Sequence, residues 1–333
     1  MQSGIMVSIV CLAYNHEKYI RQTLDGFLSQ KTEFAFEAII HDDASTDNTS
    51  KVIREYAQRY PDIIKPVYQT ENQYSKGTNI KREFICPLIK GRYVAICEGD
   101  DYWTDIYKLQ RQIDAMEVHS ECNMCVHRVS EVNEDGTPTG RSFPAGVVTE
   151  GAIPSKDFFE ISKEYSFHTS SYIFRAEHYI EYIQNPPEFV IKCDVGDEPY
   201  MMYFGNLSDV FYIDDDMSCY RRGVAESWSF IQNTNVDRIV RHAHIMIDTY
   251  SSFDDFSGRK YHRAIVERIS YQMVVSSILE KNAKQLLRKE NREYFNVLTT
   301  TKKIYVVFSV FLPEMMRKIY LKRRTHMLLK RDS

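Results

Sequence analysis

No stretch of this chain approaches the roughly 20 consecutive apolar residues that a membrane-spanning helix needs; the longest late run, Ile304 to Pro313, falls well short. Glycine and proline are sparse, 13 and 10 of 333 residues, which excludes collagen-like and low-complexity chains. Cysteine is sparse and odd in number, at seven. With no signal-peptide pattern at Met6 to Ala13, a short apolar strand, the expected compartment is a reducing cytoplasm. The glycine-rich phosphate cradles are missing, since neither GxGxxG nor GxxxxGK[ST] occurs. A bound nucleotide would therefore need its phosphates neutralised another way. A dominant charge is missing too: 42 basic residues face 46 acidic ones, a net of −4, which excludes a chain-wide footprint for nucleic acid. The balance is uneven along the chain. Thr300 to Ser333 carries nine Lys and Arg against Glu314 and Asp332, a net of +7, leaving −11 on the rest.

What is present is an ordinary globular composition, 43% hydrophobic and 26% charged, of a length that suits about two domains. The hydrophobic period alternates over the first 130 residues. Strands are expected at Val7 to Leu12, Ala38 to His41, Ile63 to Tyr68 and Tyr93 to Cys97, and helices at Glu17 to Gln30, Thr46 to Tyr60 and Ile80 to Lys90, the last closed by Gly91. A helix at Asp105 to His119 and a strand at Asn123 to Val129 follow, then mixed signals to about Tyr220, with a helix at Asp197 to Phe204. Such alternation predicts an α/β fold, a mostly parallel sheet with helices on both faces. Beyond Ser229 the pattern is helical, so the expected division is 1–229 and a helical extension over 230–333.

Sheets of this kind bind ligands beyond the carboxyl ends of their strands. Three such ends are polar: Ala13-Tyr14-Asn15, Asp42-Asp43-Ala44-Ser45-Thr46-Asp47 and Glu98-Gly99-Asp100-Asp101-Tyr102-Trp103. Carboxylates are hard oxygen ligands, and Asp100 with Asp101 suit Mn²⁺ or Mg²⁺, which would neutralise a diphosphate. His119, Cys122, Cys125 and His127 crowd within nine residues, a weak zinc signal set against the reading of a buried strand.

The ordered set VSIVCLAYN (7–15), AIIHDDASTDNT (38–49), KGRYVAICEGDDYW (90–103) and VGDEPYMMYF (195–204) resembles the family 2 glycosyltransferases, inverting enzymes of the GT-A fold, over residues 5–230. It looks most like the bacterial members that extend capsular or surface polysaccharides. The resemblance implies a nucleotide-sugar donor, UDP-linked, a saccharide or lipid-linked saccharide acceptor, hexosyl transfer, and Mn²⁺ or Mg²⁺ as cofactor. Within it, Ala13, Tyr14 and Asn15 border the donor, and Tyr14 stacks near the base. Asp43 accepts from the uracil imide N–H, the alternative being a turn aspartate that caps the next helix. Arg82 falls where the family has a basic residue, although Lys81-Arg82-Glu83 departs from the usual small-Arg-Asn. Asp101 is the metal ligand of the DxD-like element and Asp100 points to the donor sugar. Asp197 is the base that takes the acceptor proton, with Asp194 and Glu198 as neighbouring carboxylates and helix-dipole complementation as the bland reading.

Trp103, His168 and Arg222 are assigned to the acceptor or diphosphate side, against alternatives of core packing, structural hydrogen bonding and solvated surface. The segment from Tyr220 to Trp228 resembles one that closes over the diphosphate. The Gln-x-x-Arg-Trp signature of processive synthases is absent, which implies one sugar per encounter. Two other classes stay in view: a GT-A-like domain that binds nucleotide or glycan without turnover, and a nucleotidyltransferase, which would show a glycine-rich basic N-terminal loop. The basic segment 302–331 suits the anionic inner face of the cytoplasmic membrane, the alternative being a helix packed on its own domain or on a second subunit of a homodimer.

Overall fold

The apolar run at Val7 to Leu12 forms β1 (Ile5–Ala13), and its nearly complete burial follows from a parallel partner on each side. A computed structural model describes residues 4–164, 167–223 and 235–331. Two compact units divide the chain: Met1–Pro186 with Tyr203–Arg222, and Pro187–Met202 with Gly223–Ser333.

In the first unit β1 is flanked by β2 (Ala35–Asp42) and then β3 (Ile64–Tyr68) on one side, and by β4 (Tyr93–Ile96) on the other. All four run parallel, so their carboxyl ends form one rim. Beyond β4 the sheet continues through β9 (Ile173–Arg175), β6 (Met124–Val132), β10 (Val210–Arg221) and β5 (Tyr102–Trp103). Strands β7 (Pro138–Phe143) and β8 (Gly151–Ile153) add to β6 and β10. Residues 211–213 and 217–220, in the stretch of mixed signals, belong to one strand, β10, whose ladder with β6 shifts register around Asp216. Helices α1 (Ile20–Leu28), α2 (Thr49–Arg59), α3 (Lys108–Val118), α4 (Ser155–Glu164) and α5 (Ala176–Gln184) complete the unit. Ile20, Leu24 and Phe27 of α1 pack with Ile9, Cys11 and Trp103 in its core. Each such fully buried side chain contributes about 1.5–3 kcal/mol.

The helix expected at Ile80 to Lys90 is instead a π turn (Lys81–Ile85) followed by a 3-10 turn (Cys86–Leu88). Pro87 has no N–H to give an α-helical bond, which accounts for the break. Gly91 does not cap a helix; a Cβ there would sit 2.4 Å from the Ser8 amide nitrogen, so glycine lets the chain pass against β1. Cys122 and Cys125 belong to the core, and His127 Nδ1 meets the Arg128 carbonyl at 2.6 Å.

The second unit is helical: α6 (Glu188–Lys192), the start of α7 (Glu198–Leu207), α8 (Val236–Phe256), α9 (His262–Leu279), α10 (Arg292–Asn296), α11 (Thr300–Phe311) and α12 (Pro313–Arg331). Ile239 and Ala243 of α8 pack on Val275 and Leu279 of α9, while Val306 of α11 joins Val274, Ile278 and Leu298. No helix among the described residues is long and apolar enough to cross a membrane.

Candidate active site

Three loops meet at the rim because their strands are neighbours. The loop after β1 is laced to the loop after β2: the Asn15 N–H donates to Ser45 Oγ (3.0 Å), the Thr46 N–H to Asn15 Oδ1 (2.9 Å) and the His16 N–H to Thr49 Oγ1 (2.8 Å). Asn15 and Ala44 hold positive φ of 56° and 61°, strained values for side-chain-bearing residues that this lacing offsets. The third loop, after β4, is tied in by the Gly99 N–H to the Leu12 carbonyl (2.9 Å). Thr23 of α1 donates to the Gly99 and Asp101 carbonyls from below, at 3.0 and 2.6 Å. A Cβ at Gly99 would lie 2.7 Å from His16 Nδ1, so a larger residue there would require the His16 side chain to shift.

This third loop concentrates negative charge where water is scarce. Asp101 is 3% exposed; burial, reinforced by Asp100, raises its carboxyl well above the usual carboxylate range. Glu98 is raised by burial as well, with Lys81 pulling the other way and Asp100 adding to the rise. A cation would relieve this mutual repulsion, so Asp100 and Asp101 fit as a partial hard-oxygen shell completed by phosphate and water. Among the described residues no group of three His, Cys, Asp or Glu encloses a metal unaided.

The clamp on this loop is Arg221, at the end of β10. Its N–H donates to Asp101 Oδ1 (2.9 Å), Nε to the Asp100 carbonyl (3.1 Å), and its other nitrogens to the Glu134 carbonyl (2.8 Å) and Gln22 Oε1 (2.7 Å). The guanidinium also lies over the rings of Tyr19 and Tyr102. Sequence reasoning singled out Arg222 instead. The ladder with β6 separates the two: Arg221 closes β10 and turns to the acidic loop, whereas Arg222 pairs with Glu131 at 3.7 Å.

The other expected residues fall as follows. Tyr14 stands 40% exposed at the rim. Asp43 is buried beneath the loop at 72–74, accepting the Gln73 N–H (2.7 Å) and the Tyr74 N–H (3.0 Å), one on each carboxylate oxygen. Arg82 turns to Glu83 at 3.1 Å, while its neighbour Lys81 pulls the Glu98 carboxyl down against its burial. Trp103 lies in the core with its indole N–H given to the Ser170 carbonyl (3.1 Å), which withdraws it from a ligand-facing role. His168 caps the short turn at Thr169–Ser171, bonded to Ser170, with Nδ1 3.9 Å from Asp101 Oδ2; burial lowers its pKa to about 3, so the ring is neutral. Ser227 and Trp228 lie outside the described residues.

In the second unit, Asp197 is exposed and accepts the Glu198 N–H at 2.9 Å at the start of α7. Its neighbours are committed elsewhere. Asp194 pairs with His242 Nδ1 of α8 at 2.8 Å, and Glu198 accepts from Arg268 of α9 (2.9 Å) and from the Tyr250 hydroxyl (3.1 Å).

Residues 8–182, more than half of the chain, match the family described as glycosyl transferase family 2. The chain belongs to that family. An uncharacterized protein of Mycobacterium tuberculosis is 46% identical over 130 residues, 39% of this chain and 37% of the relative. The Escherichia coli UDP-Glc:alpha-D-GlcNAc-diphosphoundecaprenol beta-1,3-glucosyltransferase WfaP is 38% identical over 112 residues, 34% of this chain and 41% of WfaP. The chain thus matches well under half the length of these relatives. Among solved structures, residues 1–349 of S. aureus TarS superpose with a TM-score of 0.57 at 14% identity, covering 97% of this chain and 92% of that one. That likeness gives the glycosyl transferase family 2 chain a GT-A-like fold with a helical C-terminal region.

Proposed function

We propose that the chain moves a hexose from a UDP-sugar to a saccharide or lipid-linked saccharide acceptor, with inversion, in bacterial surface-polysaccharide synthesis. One observation carries this reading: in a family 2 frame, the loops after β1, β2 and β4 bring Tyr14, Asp43, Asp100 and Asp101 to a single rim. Each Asp43 oxygen keeps a second lone pair beside its backbone partner, enough to accept the imide N–H of a uracil. Tyr14 stacks on that base, Ala13 and Asn15 border it, and Asp100 faces the sugar. Asp101 and Asp100 would hold Mn²⁺ or Mg²⁺, which would supply positive charge against the departing diphosphate.

Asp197 is the base in this reading. An acceptor hydroxyl oxygen bonds to the anomeric carbon as the bond to the diphosphate breaks, its proton passes to the Asp197 carboxylate, and the nucleoside diphosphate leaves. Commitment of Asp194 and Glu198 to ion pairs supports choosing Asp197 among the three. A lipid diphosphate-linked acceptor, as in the name of WfaP, fits a protein working at the inner face of the cytoplasmic membrane.

The test is a panel of UDP-, GDP- and dTDP-sugars, each with Mn²⁺ and a lipid-linked saccharide mixture, followed by nucleotide release. Release from a UDP-sugar that needs the cation and disappears in Asp197→Asn is expected. Silence with every donor would leave a binding domain without turnover.

A further inference from the structure

Helix α11 turns its apolar residues outward. Ile304, Val307, Phe308 and Phe311 recur at i, i+3, i+4 and i+7, one face of a helix, and they are 52%, 39%, 50% and 76% exposed. Leu312 and Met315 prolong the stripe at 44% and 46%. The opposite face is the one that packs: Val306 and Ser309 are 0% and 2% exposed. A contiguous apolar stripe of this kind is uncommon on a soluble surface and marks a partner.

Charge identifies the partner. On α12, Met315, Lys318 and Lys322 share an exposed face at i, i+3 and i+7, so a basic face follows the apolar one along the chain. Between Thr300 and Arg331 the sole acidic residue is Glu314, and Lys281 pairs with it. A symmetric contact with a second copy would bring two such basic stripes together. At 12 residues, α11 is about 18 Å long, too short to span a bilayer and suited to lying in its interface.

We propose that α11 and the first turns of α12 dock on an anionic lipid surface, with Phe308 and Phe311 entering the acyl boundary and Lys318 and Lys322 meeting headgroup phosphates. This docking gives a lipid-linked acceptor a place to be met, but it does not depend on the transfer reading.

Flotation of the full chain on vesicles tests it, using phosphatidylcholine alone and phosphatidylcholine with 30 mol% phosphatidylglycerol. The chain is expected to float with the anionic vesicles and to be released by salt. Phe308→Ser with Phe311→Ser should weaken partitioning by at least about tenfold, and Lys318→Gln with Lys322→Gln by about thirtyfold. Thermal melting of each variant, unchanged because the residues are exposed, shows that the loss is not misfolding. Equal flotation of the variants and the parent overturns the proposal. So does a parent that fails to float but is a dimer in light scattering and becomes a monomer in the Phe308→Ser, Phe311→Ser variant, which assigns the stripe to a second copy. Flotation without nucleotide release leaves this proposal standing and removes only the transfer reading.

Discussion

The strand-end rim of the first unit and the α11–α12 stretch of the second break the same rule in opposite directions. At the rim, carboxylates go inside: Asp101 is 3% exposed beside Glu98 and Asp100. On α11, aromatics stay outside, Phe311 at 76%. Burying an unneutralised charge and exposing a large apolar surface each forgo stability. On the two readings proposed above, each would be completed by something outside the chain, a cation with a diphosphate at the rim and a lipid surface on α11. The charge division, −11 before Thr300 and +7 after it, is the sequence-level trace of that contrast.

The sharpest way to break the contrast is to neutralise single carboxylates. Asp197→Asn should lower kcat by about 10² to 10⁴ with donor KM little changed, because it removes proton acceptance and not donor contact. Asp101→Asn should lower kcat/KM for donor by about 10² to 10³. Its melting temperature should not fall, since Asn Oδ1 still accepts the Arg221 N–H. A melting temperature that collapses with activity would reduce Asp101 to a structural residue. Nucleotide-release kinetics and thermal melts on the same preparations separate the two.

Next in size is a purely steric change at the strand ends opposite the rim. Gly91→Ala forces a Cβ to 2.4 Å from the Ser8 nitrogen and 2.7 Å from the Tyr93 carbonyl oxygen, both backbone atoms that cannot swing aside. A cost of about 3 kcal/mol in urea unfolding is expected. Gly4→Ala, with nothing within 4 Å, should be neutral.

The parallel half of the sheet was legible because its strands are continuous apolar runs and its helices keep a 3.6 period. The rim was legible for the same reason, since three polar strand ends on adjacent parallel strands must converge. What escaped depended on particular neighbours. Pro87 split an amphipathic pattern into π and 3-10 turns that periodicity cannot distinguish from a helix. Arg221 and Arg222 differ only in strand parity, and parity needs the register across Asp216 that the ladder alone supplies. Lys81 and Arg82 are adjacent cations, and the unusual turn decides which one acts on Glu98.

Lys108 gave no sequence signal, yet it is wholly buried at the start of α3, 4.1 Å over the Trp103 ring and bonded to Gln112 Oε1 at 2.6 Å. Burial lowers its pKa from 10.5 to about 7, against the opposing pull of Cys97, Cys125 and Asp105. Between these values the unfolded chain holds the proton and the folded chain does not, so stability rises with pH, by up to about 1.4 kcal/mol per unit. The window is pH 7 to 8.5. The buried His127 and His168 act below it, and cysteines whose pKa burial raises act above it with the opposite sign. Lys108→Met should flatten the slope of unfolding free energy in that window; an unchanged slope would place the titration elsewhere.

The smallest effect is the most discriminating for the second region. Phe308→Ser with Phe311→Ser should change unfolding free energy by no more than about 0.5 kcal/mol and leave nucleotide release on a water-soluble acceptor as it was. Val306→Ser, on the buried face of the same helix, should cost about 2 kcal/mol, because it opens a cavity and strands a hydroxyl among Val274, Ile278 and Leu298. Phe308 and Phe311 lie two and five positions beyond Val306 in the chain. If the two phenylalanines proved as costly as Val306, their faces would be packed in the free protein and α11 would have nothing left to offer a membrane. If they are silent in water and decisive on vesicles, α11 stays uncovered until a lipid surface meets it.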